Sequence, residues 1–423
     1  ALQALVPGAL AGADLGKTNN VAAYWGQNSY GQGTGPYAQK RLSHYCNDPH
    51  IDIYMISFLI RFNGMGGVPE TNFANAQNNC TYFPGTQLHN CPQIEEDIKF
   101  CQSRGKTILL SFGGSTYTEG GFTSEDAARS GAKLVWETFG AVNSHAKRPF
   151  GSAVVDGFDF DFESIVHNMP AFANELRRYM SEDGSRKYIL TAAPQCPYPD
   201  AADGPMLDGR VHFDAVFIQF YNNYCGLPSF TPGSSSQSSY NFGTWDKWAK
   251  ETSLNKNVKV YVGAAANTGA AGTGYVPLSR LSEIIQYSKQ FSSFGGVMLW
   301  DTSQGYANEG FLPGLKSALG GGGGGNPPPI TTTTTLTTTT RPKPTTTSTS
   351  TTTTTTAKPP STTCPVQGGS CSTNGAFACN GSDFGVCDYG KWIMRSCPAG
   401  LVCAMDGTGA YCDYPGKSNS PCP

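Results

Sequence analysis

Short apolar runs recur along residues 20–300, and most of them end in a polar or aromatic cluster. The runs NVAAYWGQ at 20, IDIYMISFL at 51, TILLSFGG at 107, DGFDFDFE at 156, YILTAAP at 188, AVFIQFYN at 215, VKVYVGAAA at 258 and GGVMLWD at 295 predict eight strands. Amphipathic segments such as IEEDIKFCQSRG and SRLSEIIQYSKQF lie between several of them and predict helices. Strands alternating with helices over about 300 residues predict an α/β chain folded as a (β/α)8 TIM barrel. A doubly wound open sheet is the alternative. It is weakened because no G-x-G-x-x-G follows the first strand. In a barrel, the endings YWGQN, SFGG, DFE, APQ, QFYN and LWD would meet on one rim and wall a polar, aromatic cleft.

The periodicity stops at Gly320. GGGGGG, NPPPI and Thr runs broken by RPKP and AKPP continue to Thr363, a composition that cannot bury a core. The organisation read from this is a barrel domain over 1–319 (with 1–19 an N-terminal extension), a linker over 320–363 and a Cys-rich module over 364–423. The linker is expected to be a stiff, extended, O-glycosylated tether reaching roughly 130 Å at full polyproline extension. In the module, eight cysteines staple a core too small to stand alone, most simply as four disulfides.

Alternation in DGFDFDFE concentrates chemistry. Side chains alternate across a strand, so Asp159, Asp161 and Glu163 share one face and Phe158, Phe160 and Phe162 the other. In a barrel the Phe face packs outward beneath the helices and the acid face points toward the rim. Three carboxylates in a row cannot all ionise in a partly dry site, so at least one holds a proton near neutral pH and can act as a general acid. Glu163, nearest the strand end, is the expected donor. A solvated acidic edge strand is the structural alternative. Calcium ligation is a second, weakened by the missing loop glycine.

Charge and cysteine usage narrow the class. With a formal net charge of -2, 14% charged residues and no polybasic run, the chain has no pull toward nucleic acid or an anionic membrane, and a neutral ligand suits its surface. No apolar stretch is long enough to span a bilayer. The 14 cysteines include no C-x-x-C pair and the six His are scattered, which argues against a zinc site; no metal or cofactor is expected. Even cysteine sets in both parts predict disulfides, an oxidising compartment and secretion. The start at Ala1 is read as following a removed signal peptide, with ALQALVPGALAGA as its remnant.

The motif DGFDFDFE fits D-G-x-D-x-D-x-E and resembles glycoside hydrolase family 18. YWGQN at 24–28, SFGG at 111–114, LTAAPQCP at 190–197, QFYNN at 219–223 and GGVMLW at 295–300 are similar, in order, to the plant and fungal class III chitinases of that family. The resemblance implies a TIM barrel acting on chitin and chito-oligosaccharides, as a monomer, by a retaining route in which the sugar's own acetamido group is the nucleophile. It implies Glu163 as acid and base, Asp161 as the support of the acetamido group, Asp159 beneath it, and Tyr221 at the acetamido oxygen. Gln219, Trp300, Tyr24, Gln27, Gly113 and Asn222 are implied substrate-binding positions, with Trp300 the floor under the cleaved sugar. Read from the residues alone, Tyr221 is equally a strand-end aromatic, Trp300 a core residue, and Trp245 and Trp248 helix-to-barrel packing. One of Tyr24 and Trp25 could simply pack the barrel.

The resemblance also implies cis peptides at Ser57–Phe58 and Trp300–Asp301, and bridges Cys46–Cys101, Cys80–Cys91 and Cys196–Cys225. Asn79 and Asn380 open glycosylation sequons. The last module resembles the family 19 carbohydrate-binding modules of fungal chitinases; Trp392 is its leading candidate for stacking on sugar rings, backed by Phe384, Tyr389, Tyr411 and Tyr414. The alternative for Trp392 and Phe384 is the module's own core, and a knottin is the rival for the module as a whole. The expectation is a secreted, endo-acting chitinase. A glycoprotein endo-β-N-acetylglucosaminidase and a non-catalytic lectin are the competing functions.

Overall fold

In the computed structural model, eight parallel strands close on themselves. The structure describes residues 12–142, 144–320, 364–372, 377–388, 391–397, 401–406 and 409–413. The barrel strands are β1 (Asn20–Trp25), β2 (Ile53–Arg61), β3 (Thr107–Gly113), β4 (Gly157–Asp161), β5 (Ile189–Ala192), β6 (Ala215–Gln219), β7 (Lys259–Ala265) and β8 (Phe294–Trp300). Each pairs with the next, and β1 pairs in parallel with both β2 and β8, which shuts the barrel. All eight strands coincide with the apolar runs read from the sequence, although β4 ends at Asp161 and leaves Glu163 just beyond it.

Every strand is followed by a helix: α1 (Leu42–Tyr45), α2 (Pro92–Ser103), α3 (Glu125–Phe139), α4 (Met169–Asp183), α5 (Gly204–Leu207), α6 (Phe242–Glu251) and α7 (Leu278–Ser288) after β1 to β7, then α8 (Thr302–Ala307) and α9 (Phe311–Ala318) after β8. Ser124 caps α3 by accepting from the Ala127 amide, with Glu125 and Asp126 in its first turn, where the exposed helix N–H groups favour negative charge.

Strand alternation builds two cores. Ala22, Tyr24, Ile53, Met55, Phe217, Tyr261 and Met298 fill the barrel interior. Val21, Ala23, Trp25, Phe158, Phe160 and Phe162 belong to the larger layer between strands and helices. The three phenylalanines of DGFDFDFE are fully shielded there, each contributing roughly 1.5–3 kcal/mol of burial. That anchoring fixes the strand's facing and obliges the acids to point inward.

The expected bridges Cys46–Cys101, Cys80–Cys91 and Cys196–Cys225 are all formed. Trp245 and Trp248 pack α6 against the barrel, as expected, with indole N–H groups donating to the carbonyls of Cys196 and Leu207. Trp25 belongs to the outer layer rather than the cleft, its Nε1 donating to the Lys40 carbonyl.

In the last module, strands Phe377–Asn380, Asp383–Asp388 and Lys391–Ser396 form one antiparallel sheet, and Val402–Asp406 pairs with Gly409–Asp413. Cys379 is bridged to Cys403. Phe384 is buried among Cys379, Cys397 and Cys403, so of the two roles open to it, the module's core is the one it fills. Trp392 stays half-exposed on its strand. Tyr389, Tyr414, the side chain of Tyr411 and the linker after Gly320 lie outside the described residues.

Candidate active site

The acids of β4 rise in a line from the barrel interior to its mouth. Asp159 is 0% exposed and accepts three O–H bonds, from Tyr24 at 2.8 Å, Ser111 at 2.7 Å and Thr191 at 2.6 Å. These come from β1, β3 and β5, so three strands grip the lowest acid. Burial still raises its pKa above the usual carboxylate range, with the three bonds pulling the other way.

Asp161 is also buried, and its Oδ1 accepts from Gln219 Nε2 at 2.9 Å. The same Nε2 donates to the Ala193 carbonyl at 2.8 Å, which holds the amide with its donor side toward the acid. Burial, then the charges of Glu163, Asp159 and Asp200, push the Asp161 carboxyl well above its ordinary range.

Glu163 sits two residues past the strand end, partly exposed at the mouth. Burial first, and the negative charge of Asp200 second, push it up to about 7. A carboxyl titrating there can give a proton and take one back near neutrality. The two upper acids form a coupled pair in which protonating one favours ionising the other.

Around them stand the aromatic positions. Tyr221, just past β6, is buried, and burial together with the charges of Asp161, Glu163 and Asp159 raises its phenol far above normal; it is a hydrogen-bond donor at any working pH. Trp300 closes the opposite side. Its ring lies 6.0 Å from Phe58 at 16° and 5.4 Å from Tyr24. The peptides Ser57–Phe58 and Trp300–Asp301 are both cis, as the resemblance implied.

Four other expected contacts are engaged within the protein. Tyr24 is 1% exposed, with its hydroxyl on Asp159. Gln27 Nε2 donates to the carbonyls of Ser57 at 2.8 Å and Asn72 at 2.9 Å. Asn222 Oδ1 accepts from the Thr273 amide at 3.0 Å, in a backbone with φ 57°. Gly113 has φ +107°, and a Cβ there would stand 2.4 Å from the Asp161 carbonyl oxygen. Glycine is required at 113 because β3 and β4 converge, so its neighbour is the acid strand. These four brace the site. Glu163, Asp161, Tyr221, Gln219 and Trp300 are brought together at the mouth.

Two acids escaped the motif. Asp200 and Asp203, in the turn between β5 and α5, are buried beside the β4 acids. The stretch CPYPDAAD reads as an ordinary Pro/Asp turn, and nothing in its spacing signals that the turn folds inward.

With this geometry in place, comparison with known proteins decides the family. Residues 20–275 match glycosyl hydrolases family 18, and residues 345–406 match the family 19 carbohydrate binding domain. The chain belongs to glycosyl hydrolase family 18. This family 18 protein is 50% identical over 322 residues to a class III chitinase of Arthroderma benhamiae, covering 75% of this chain and 91% of that one. It is 52% identical over 321 residues to endochitinase 33 of Trichoderma harzianum, covering 75% and 97%. Chitinase 2 of Rhizopus oligosporus is 45% identical over 400 residues, 93% of this chain and 70% of that one.

Among solved structures, the family 18 barrel is similar to the ICChI chitinase of Ipomoea carnea, with TM-score 0.57 and 27% identity over 71% of this chain and 99% of that one. It is equally similar to a xylanase and alpha-amylase inhibitor of Scadoxus multiflorus, with TM-score 0.56 and 28% identity over 72% and 98%. The barrel alone therefore does not assign catalysis; the acids must.

Proposed function

We propose that this family 18 protein is an endo-acting chitinase that cleaves β-1,4-N-acetylglucosamine linkages with retention, the substrate's acetamido group acting as nucleophile. The observation that carries the reading is Glu163 just past the strand that buries Asp161 and Asp159, with Tyr221 and Trp300 beside them. A lectin needs sugar-stacking aromatics but no carboxyl tuned to about 7.

In the proposed reaction, the sugar at the cleavage point rests on Trp300. Its acetamido carbonyl oxygen attacks the anomeric carbon as the bond to the bridging oxygen breaks, and Glu163 gives its proton to that oxygen. Positive charge spreads over the resulting oxazolinium ring. Asp161, losing its proton toward the interior or accepting the acetamido N–H, stabilises that charge. Tyr221 donates to the acetamido oxygen and holds it in line. Water then attacks the anomeric carbon from the face the leaving group vacated, Glu163 takes its proton, and the ring reopens with the original configuration.

The Cys-rich module supplies a second hold on insoluble chitin through Trp392. Disulfides in both parts support a secreted enzyme acting at or outside the cell wall, and we propose that it acts as a monomer. The same acid motif would serve an endo-β-N-acetylglucosaminidase; the chitinase relatives and the family 19 module favour chitin.

Glu163→Gln tests the assignment. Turnover of a soluble N-acetylglucosamine oligomer is expected to fall by at least about 100-fold, with oligomer binding retained. Turnover near the native rate in that variant would remove Glu163 from the chemistry. Equal cleavage of oligomers lacking the acetamido arm would remove the proposed nucleophile.

A further inference from the structure

The turn after β5 brings two more carboxyls to the acid column, and they are unlike each other. Asp203 is 0% exposed, and neither of its carboxyl oxygens has a hydrogen-bond partner. It stands at the start of α5 without capping it. Asp200, also buried, is fully engaged: Oδ1 accepts from the amides of Ala202 at 2.8 Å and Asp203 at 2.6 Å, and Oδ2 from Gln195 at 3.0 Å.

The turn is tied to the catalytic strands. Gln195 pairs through its backbone with Gln219, whose side chain holds Asp161. The Cys196 amide donates to the Gln219 carbonyl, and the Cys196–Cys225 bridge pins the turn to the loop carrying Tyr221. Asp200 thus cannot move away from the mouth without displacing the groups around Asp161.

We propose that Asp200, held by three amides in the turn that Gln195 ties to Gln219 and so to the acid column, is a positioning residue whose negative charge keeps Glu163 protonated, while Asp203 in the same turn is a neutral carboxylic acid. The proposal rests on Glu163 being the acid. A buried carboxylate that no donor reaches gives up its charge by taking a proton. Three backbone N–H groups favour the ionised form of Asp200.

The groups acting on this pair support the division. Burial first, then the charges of Asp200, Asp161, Asp159 and Glu163, raise Asp203 well above its normal range. Asp200 is pushed up to about 6 by burial against the pull of its three amides. Glu163 is pushed up to about 7 by burial first and by the charge of Asp200 second. An ionised Asp200 holds the proton on Glu163, because a second negative charge close by disfavours the carboxylate. Tyr24 and Tyr221, on β1 and past β6, face the same column as neutral phenols.

The test is the pH profile of turnover on a soluble N-acetylglucosamine oligomer, with stability followed in the same variants. In Asp200→Asn the high-pH limb is expected to move down by roughly half to one pH unit, because the acid form of Glu163 is lost sooner without a neighbouring charge. A merely structural role would lower the rate and leave the limb in place; that result overturns the proposal. Asp203→Asn is read by melting temperature. The native protein should melt progressively below this variant as pH rises from 5 to 8, and a constant difference would show that Asp203 is not the neutral acid proposed. If Asp200→Asn does not fold, the limb is read in Asp200→Ser, with the same two outcomes. Glu163→Gln separates the levels: an active Glu163→Gln defeats the catalytic assignment, whereas an inactive one beside an unmoved limb defeats only this inference.

Discussion

The Tyr24 hydroxyl donates to Asp159 Oδ2 at 2.8 Å, joining the first barrel strand to the bottom of the acid column. Both groups are shut from solvent, and Ser111 meets the same oxygen at 2.7 Å. Trp300 lies against the Tyr24 ring at 5.4 Å, so the phenol links the aromatic floor to the lowest acid.

Tyr24→Phe keeps the ring under Trp300 and removes one of three donors to Asp159. The remaining bonds from Ser111 and Thr191 hold the side chain in place, but its charge is less well solvated. A loss of about 1–3 kcal/mol is expected at neutral pH, measured by denaturant unfolding. The Asp159 pKa should rise further. Oligomer affinity should change little, because the hydroxyl faces the acid and not the cleft.

Catalysis and stability should both depend on pH through Glu163. As general acid it must carry its proton, so turnover is expected to fall as pH rises through about 7. Its folded pKa lies above that of an unfolded glutamate, about 4.3, so the folded state binds more protons between these values. Stability attributable to this group is therefore present at low pH and lost as pH rises through that window. Glu163→Gln removes the dependence. It should melt above the native protein at pH 8, by roughly 1–2 kcal/mol after allowing for partial solvent screening, with the gap closing toward pH 4.5. A gap that does not vary with pH would contradict the raised pKa.

How far this site was legible depends on where each residue's neighbours lie in the chain. Phe158, Phe160 and Phe162 declare the facing of β4 by alternation alone, so the inward direction of Asp159 and Asp161 could be read locally. The cysteine pairs and cis peptides followed only from resemblance to known chains. Tyr24 and Gln27 sit beside the cleft residues in YWGQN, yet the structure turns them to Asp159 and to the Ser57 and Asn72 carbonyls. Their roles depend on partners 30 to 135 residues away. Asp200 and Asp203 were invisible for the same reason. Their meaning comes from a turn folding over a strand nearly 40 residues earlier, and turn composition does not report that.

Gln219 offers a test of alignment as distinct from charge. Its single amide nitrogen reaches both Asp161 and the Ala193 carbonyl, so Gln219→Leu removes the amide that donates to Asp161. Turnover should fall about 10-fold or more while KM changes less, since the interaction matters most as charge develops. Gln219→Glu should be worse, because it sets another carboxyl against an acid already crowded by Glu163, Asp159 and Asp200. Steady-state kinetics on an oligomer of defined length separates the two variants.

The last prediction concerns the module. Trp392 lies on the strand Lys391–Ser396, with its amide bonded to the Gly369 carbonyl at 2.8 Å and its ring half-exposed, whereas Phe384 is enclosed among cysteines. A partly exposed indole on a disulfide-stapled sheet can stack on a pyranose face without remodelling the core. Relatives matched over 321 and 322 residues, which cover 97% and 91% of their own lengths, indicate that a barrel of this kind stands without such a module. Trp392→Ala should therefore leave cleavage of a soluble oligomer unchanged and weaken adsorption to insoluble chitin by about 5- to 10-fold, an aromatic contact of roughly 1 kcal/mol. Phe384→Ala should act differently, unsettling the module and lowering its resistance to proteolysis. Sedimentation of each variant with chitin particles, beside the soluble assay, distinguishes a lost contact from a lost fold. If Trp392→Ala adsorbed as the native protein does, the grip on the polymer would have to lie on another face of the module.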